Sequence, residues 1–114
     1  MNSTLESVPV VRTMVPVAAA TPAELADAAL EQALSLWQSG NDEQALGLLR
    51  RAAGADLRRP EPWYWMGRVH EHAKDPVKAA YCYYLANDIR RHEPSREALR
   101  RLGYLGQGGI DARG

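Results

Sequence analysis

The chain has 114 residues, room for one domain, and its 46% apolar composition, with three Trp, five Tyr and no Phe, suffices for a buried core. A formal net charge of zero argues against a chain dedicated to nucleic acid or to a membrane surface. The charge is nevertheless divided, with one base against six acids in residues 1–49 and thirteen bases against eight acids in residues 50–114, an asymmetry that favours head-to-tail contacts or an acidic partner.

Residues 1–21 lack a helical period, carry Pro9 and Pro16, and are expected to form an extended arm. Val17 to Ala20 resembles a signal-peptidase site, but Arg12 and the prolines interrupt the apolar region and no Lys or Arg precedes it. The expected compartment is therefore the cytoplasm, with export as the alternative; a single cysteine, Cys82, which cannot form an internal disulfide, agrees with a reducing compartment. No uninterrupted apolar run approaches the roughly 20 residues of a membrane span. Residues 8–17 are too apolar for a simple solubilising tail and too proline-broken for a helix, so they are expected to be a docking element, the alternative being a disordered or cleaved leader.

The helical domain is expected over residues 22–105. Thr21, Pro22 and Glu24 supply an N-cap, a proline at the first helical position and an acid at the third. Strong helix formers then run to Ser39, and Gly40-Asn41-Asp42 closes this helix, with Asp42 placed to cap a second over 43–56. Pro60 and Pro62 break the chain before a third helix over 61–73. Asp75-Pro76 opens a fourth that reaches 91, and Pro94-Ser95 starts a fifth over 96–105. Connections of two to five residues make neighbouring helices antiparallel, giving stacked helical hairpins. The last residues, 106–114, contain four glycines and are expected to be a flexible tail.

Residues 26–59 set over 60–93 align at a shift of 34. Ala33 meets Gly67, Asn41 meets Asp75, Ala45 meets Ala79, Leu49 meets Tyr83, Ala52 meets Ala86, and Pro60 meets Pro94. Small residues thus recur where the helices of a hairpin cross closely, and large ones where a core is filled. Ala79 and Ala86 are expected to face Gly67 and Trp63.

The second unit reads Trp63-x-x-Met66-Gly67-x-x-His70 and then Ala79-x-x-x-Tyr83-x-x-Ala86. It resembles the tetratricopeptide (TPR) family, whose pattern is W-x-x-L-G-x-x-Y followed by A-x-x-x-F-x-x-A. His70 is the main departure, and the family's proline falls three residues late, at Pro94. In the first unit Ala29 and Gln32 stand at the Trp and Leu positions. Leu99, Leu102 and Gly103 match Trp63, Met66 and Gly67 only with a two-residue slip, as expected of a C-terminal capping helix. The resemblance covers residues 24–105 and implies an all-α fold of stacked antiparallel hairpins, a fragment of an α-solenoid. It also implies a module that scaffolds or chaperones a partner protein by docking its peptide or helix in a concave groove. The family's groove positions fall here on Asp27, Leu30, Glu31, Leu34, Trp37 and Gln38, then on Glu61, Tyr64, Trp65, Arg68, Glu71 and His72. Leu34, Tyr64 and Trp65 would anchor the partner, with Leu30, Trp37, Glu71 and His72 beside them, and Arg68 would orient an acidic or carbonyl group. Some members grip a chaperone's terminal carboxylate with Lys, Asn and Arg; Leu30, Leu34 and Trp65 stand there in this chain, so that subtype is not expected.

Trp65 lies about 200° around the helix from Trp63. If Trp63 packs into the hairpin, Trp65 faces away, to be covered by a partner, by the arm or by the preceding helix. A structural subunit that stacks on itself or within a larger assembly is the alternative function, and an RNA-binding repeat a third. Four Arg doublets carry the RNA reading, but the aromatics lie mostly elsewhere, and the doublets near helix ends have a structural reason in the helix dipole. No phosphate loop, carboxylate pair or nucleophile elbow is present, so no enzyme and no cofactor are expected. His70 and His72 point to different sides of one helix and cannot chelate one ion, so no metal is expected. The same geometry predicts a half-buried His70 and a surface His72.

Overall fold

The computed structural model describes residues 20–105. They form five α-helices and, among the described residues, no strand: α1 (Pro22–Gln38), α2 (Asp42–Ala55), α3 (Glu61–His72), α4 (Pro76–Ile89) and α5 (Glu93–Leu102). Residues 1–19 of the arm expected over 1–21, and the tail over 106–114, lie outside the described residues, as do the expectations attached to them. No helix among the described residues is long and apolar enough to cross a membrane.

Local sequence fixes the helix starts. The Thr21 Oγ1 accepts from the Glu24 amide at 3.1 Å while the Thr21 amide donates to Glu24 Oε1 at 2.9 Å, a reciprocal box that satisfies two otherwise orphaned donors of α1. The Asp75 carboxylate accepts from the Lys78 amide in the same way at the start of α4. Asn41, not Asp42, is the cap residue of α2; Asp42 lies within the first turn, where its charge complements the helix dipole. α4 ends two residues before the expected boundary, at Ile89, because Arg90 is extended. α5 starts three residues earlier than expected, at Glu93. His92 is its cap residue, and Ser95 is buried with its Oγ 2.8 Å from His92 Nδ1.

The 34-residue period is visible in the backbone. α2 and α4 begin and end 34 residues apart, and α1 and α3 end 34 residues apart. The amides of Asn41 and Asp75 donate back to the carbonyls of Leu36 and His70, both at 2.9 Å, so both hairpin turns close alike. Both turns also need a left-handed residue, supplied by Gly40 (φ 88°) in the first unit and by Lys74 (φ 67°) in the second. Glycine takes that conformation freely, whereas a residue with a Cβ is strained by about 1–2 kcal/mol.

Packing follows the same period. Ala33, Ala45, Leu49 and Ala52 of the first unit are buried, as are Gly67, Ala79, Tyr83 and Ala86 of the second. α1 packs on α2, α2 on α3, and α3 on α4. One core cluster joins the two units through Ala33, Leu49, Ala53, Met66, Val69 and Cys82, with Trp63 and Trp65 half-buried against it. A second cluster joins Ala79, Ala80 and Tyr83 of α4 to Ala98 and Leu99 of α5. α5 therefore covers apolar surface of the second unit, as a capping helix does.

Two details differ from expectation. The space beside Gly67 is filled by the Tyr83 ring, so Tyr83 makes the close approach assigned in advance to the alanines, and Ala79 packs in the cluster shared with α5. Gly103 is not a counterpart of Gly67. It is the left-handed residue (φ 88°) that ends α5.

Candidate functional site

The C-terminal ends of α1 and α3, the turn after α3 and the last turn of α5 enclose an open groove of about 540 Å³. Trp37, Arg68, Glu71, His72, Lys74 and Arg101 line it. Trp37, in the last turn of α1, meets two rings of α3 edge to face, Trp65 at 6.3 Å and His72 at 6.0 Å between centroids. α1 thus covers part of Trp65, a helix other than the one immediately before α3. His72 is exposed and His70 half-buried, as expected.

Arg68 is held by aromatic contacts. Its Nη1 donates to the Tyr64 hydroxyl at 2.9 Å, and its guanidinium carbon lies 5.8 Å from the Tyr64 ring centre and 5.6 Å from that of Trp65. Tyr64 itself is wedged among Trp65, Tyr83 and His92, with centroids 5.1, 5.8 and 5.4 Å away. Such contacts orient a guanidinium without neutralising it. Among the described residues neither Arg68 nor Lys74 has a carboxylate partner.

Glu71 is already engaged. Its Oε1 accepts from the Tyr83 hydroxyl at 2.7 Å and its Oε2 pairs with Arg101, which ties α3 to α4 and α5. Burial first, and then the bond to Glu71, raise the Tyr83 pKa, so the phenol remains a neutral donor. Glu71 is a brace of the groove wall, since both its oxygens are used within the chain.

Of the eight residues expected to meet a partner, Trp37, Arg68, Glu71 and His72 line the groove, and Tyr64 and Trp65 support it by holding Arg68 and Trp37. Leu30 and Leu34 are half-buried on α1 outside the groove lining, and Leu30 packs against the core cluster. Lys74 and Arg101 line the groove without having been expected there. The sequence signal for Lys74 was its place opposite Gly40 at the shift of 34; Arg101 enters only because α5 docks beside α3. The groove therefore presents three cations against one internally paired carboxylate, next to an indole and an imidazole. A second concavity of about 460 Å³, lined by Gln32, Leu36, Gln44, Gly47, Leu48 and Arg51, has one cation and no aromatic ring.

The arginine doublets form ion pairs more than they cap helices. Arg59 bridges Asp27 of α1 at 2.6 Å and Glu61 at 3.6 Å, Arg58 pairs with Asp56, Arg91 with Glu93, and Arg100 with Glu97. Neither α2 nor α4 has a base in its last turn, so the dipole explanation holds only for Arg100 and Arg101 of α5.

Cys82 is buried in the core cluster, and desolvation pushes its pKa up to about 11 from 9.0. The thiolate fraction at neutral pH falls roughly a hundredfold as a result. A thiol reagent at pH 7.5 is therefore expected to label the native protein at least about a hundred times more slowly than the urea-unfolded chain. Equal rates would remove Cys82 from the core.

No family model, curated protein or solved structure matches this chain.

Proposed function

We propose that the chain is a TPR-like protein-interaction module that docks an acidic segment of a partner protein in the groove between α1, α3 and α5. The supporting observation is the pair of cations, Arg68 and Lys74, that have no carboxylate partner among the described residues, beside Trp37 and His72. Arg68 is pre-oriented by Tyr64 and Trp65, so little side-chain freedom is lost when a carboxylate arrives. Trp37 and His72 offer apolar ring surface to an aliphatic or aromatic neighbour of that carboxylate. Lys74 strengthens the reading. Its backbone holds a left-handed conformation that the first unit gives to glycine, and strain of this kind is retained where a side chain serves a function.

That combination leads to a two-sided expectation. Lys74→Gly should stabilise the fold by about 1 kcal/mol through relief of the left-handed strain, while weakening binding of a ten-residue peptide rich in Asp, Glu and Leu by about fivefold. Arg68→Ala should weaken the same peptide roughly tenfold or more, since a charge-assisted hydrogen bond is lost. Fluorescence polarisation with labelled peptide, and thermal melts of each variant, measure both quantities. If both variants bind like the parent, or if basic peptides bind as well as acidic ones, the acidic-groove reading fails.

A further inference from the structure

A second surface lies on α4, on the side turned away from the core. Val77, Tyr81 and Tyr84 are exposed, at 68%, 63% and 45%, and Asp88 is exposed beyond them. At 100° per residue, positions 77, 81, 84 and 88 fall within about 60° of one another, so they make one straight stripe along about three turns. The buried residues of the same helix, Ala79, Ala80, Cys82, Tyr83 and Ala86, occupy the other side. The Tyr84 hydroxyl donates to the Tyr104 carbonyl at 3.3 Å, which brings the end of α5, with its own exposed Tyr104, against the stripe. Tyrosines in this number belong to interfaces more than to solvated helix faces, because each offers a large apolar body and one polar tip.

The charges at the two ends indicate the occupant. Lys78 flanks the N-terminal end of the stripe, about 60° around the helix from Tyr81, in loose contact with Asp75 at 3.9 Å. Asp88 stands at the C-terminal end, and among the described residues it has no ion-pair partner. A carboxylate near the negative end of its own helix is poorly placed, and an intramolecular role does not explain it. The order Val77, Tyr81, Tyr84, Asp88 keeps its spacing when reversed, and Lys78 stands next to the position opposite Asp88. Two copies of α4 laid antiparallel about a two-fold axis between positions 81 and 84 place each Tyr81 beside the other copy's Tyr84. The same arrangement brings each Asp88 toward the other copy's Lys78 and toward the positive end of the other copy's α4.

We propose that the α4 stripe is a self-complementary surface through which two copies of this chain form an isologous dimer, leaving both grooves open. The area suits a weak dimer. Three tyrosines near half exposure, each with on the order of 200 Å² of surface, together with Val77 present on the order of 400 Å² per copy. With the polar rim, the two copies together approach the lower bound of about 1,200 Å² for specific interfaces, a size associated with reversible association. A dimer would hold two acidic-segment grooves at a fixed spacing, so that a partner bearing two such segments gains avidity with no new contact.

Sedimentation equilibrium of the full chain from about 5 μM to 1 mM reads this directly. The expected result is a reversible monomer–dimer equilibrium. Tyr81→Glu, at an exposed position, should raise its dissociation constant roughly ten- to thirtyfold, the range of an interface hot spot, with an unchanged helical circular-dichroism melt. Asp88→Lys should weaken the dimer, and the double variant Lys78→Glu, Asp88→Lys should restore it, since the swap re-forms both pairs. A chain that stays monomeric to 1 mM leaves the stripe to a different protein and overturns the proposal. A dimer indifferent to Tyr81→Glu, or a swap that fails to restore association, assigns the contact to another surface and overturns it too. Acidic-peptide binding should persist in Tyr81→Glu, so failure of the dimer and failure of the groove are read in separate measurements.

Discussion

Tyr83→Ala is expected to cost about 3–5 kcal/mol, the range for truncating a buried aromatic side chain, and to leave most of the chain unfolded at 37 °C. Tyr83 is 0% exposed and is the largest fully buried side chain of the core. It also joins three helices. The ring fills the space beside Gly67 of α3, the backbone belongs to α4, and the buried cluster around it includes Ala98 and Leu99 of α5. Truncation would empty that space and free Glu71 from its phenol donor. Tyr83→Phe separates the two roles. It keeps the ring and loses one charge-assisted hydrogen bond, for an expected cost of about 1–2 kcal/mol. The two proteins should also differ in alkali. The Tyr83 pKa is raised in the fold above its ordinary 10.0, chiefly by burial. Its contribution is therefore fully present below pH 10 and is lost as pH rises through the folded value. Urea melts between pH 8 and 11 should show the parent losing stability at the top of this range more steeply than Tyr83→Phe. Equal costs for Ala and Phe would show that the ring does not fill the core.

Gly67→Ala is expected to destabilise by about 2 kcal/mol, although alanine is the better helix former. A Cβ there would lie 2.5 Å from Tyr83 Cε1 and 2.7 Å from Cδ1, inside any real contact distance, and the clash is with the body of a buried ring. Overpacking of this kind costs about 1–3 kcal/mol, against a gain in helix propensity of up to about 1 kcal/mol. Gly47→Ala in α2, where an added Cβ meets nothing within 4 Å, carries only the gain and is expected to stabilise slightly. The first unit shows the compensating pair. At the positions of Gly67 and Tyr83 it has Ala33 and Leu49, buried in one cluster. Gly67→Ala combined with Tyr83→Leu installs that pair in the second unit. A double-mutant cycle should then return a favourable coupling of at least about 1 kcal/mol. Additive costs would mean that the two units do not share a packing plan.

This small-for-large exchange explains why the fold was legible in the sequence. Gly67 with Tyr83 and Ala33 with Leu49 are different solutions to one crossing, and they recur at a shift of 34 because each helical hairpin meets the same neighbours. The breaks were legible for local reasons, since Thr21, Asp75 and the glycine at 40 act through their own backbone neighbourhood. What was not legible depends on packing between units. α5 was misplaced by three residues because His92 makes no side-chain bond to an amide of the first turn and its ring meets the Ser95 hydroxyl instead.

The groove divides along the same line. Trp37, Arg68, Glu71 and His72 could be placed because they share one face of regular helices at known repeat positions. Leu30, expected beside the anchors, and Leu34, expected to be one of them, lie outside the groove lining, and the helix angle alone does not reveal that the first core cluster extends under Leu30. Glu71 was read as free for a partner because its two donors, Tyr83 and Arg101, lie 12 and 30 residues away. Lys74 and Arg101 required the turn and the capping helix in three dimensions before their charges could be seen to converge.

The most direct test of the central claim is to map amide and indole resonances of the isotope-labelled chain during titration with the Asp-, Glu- and Leu-rich peptide. Acidic-segment docking in the groove predicts saturable shifts centred on the Trp37 and Trp65 indoles, Arg68, His72 and Lys74, with little change at Val77, Tyr81 and Tyr84, and a site lost in Arg68→Ala. Shifts centred on the α4 stripe or on the concavity around Leu36 and Leu48, or no saturable shift at millimolar peptide, would contradict it.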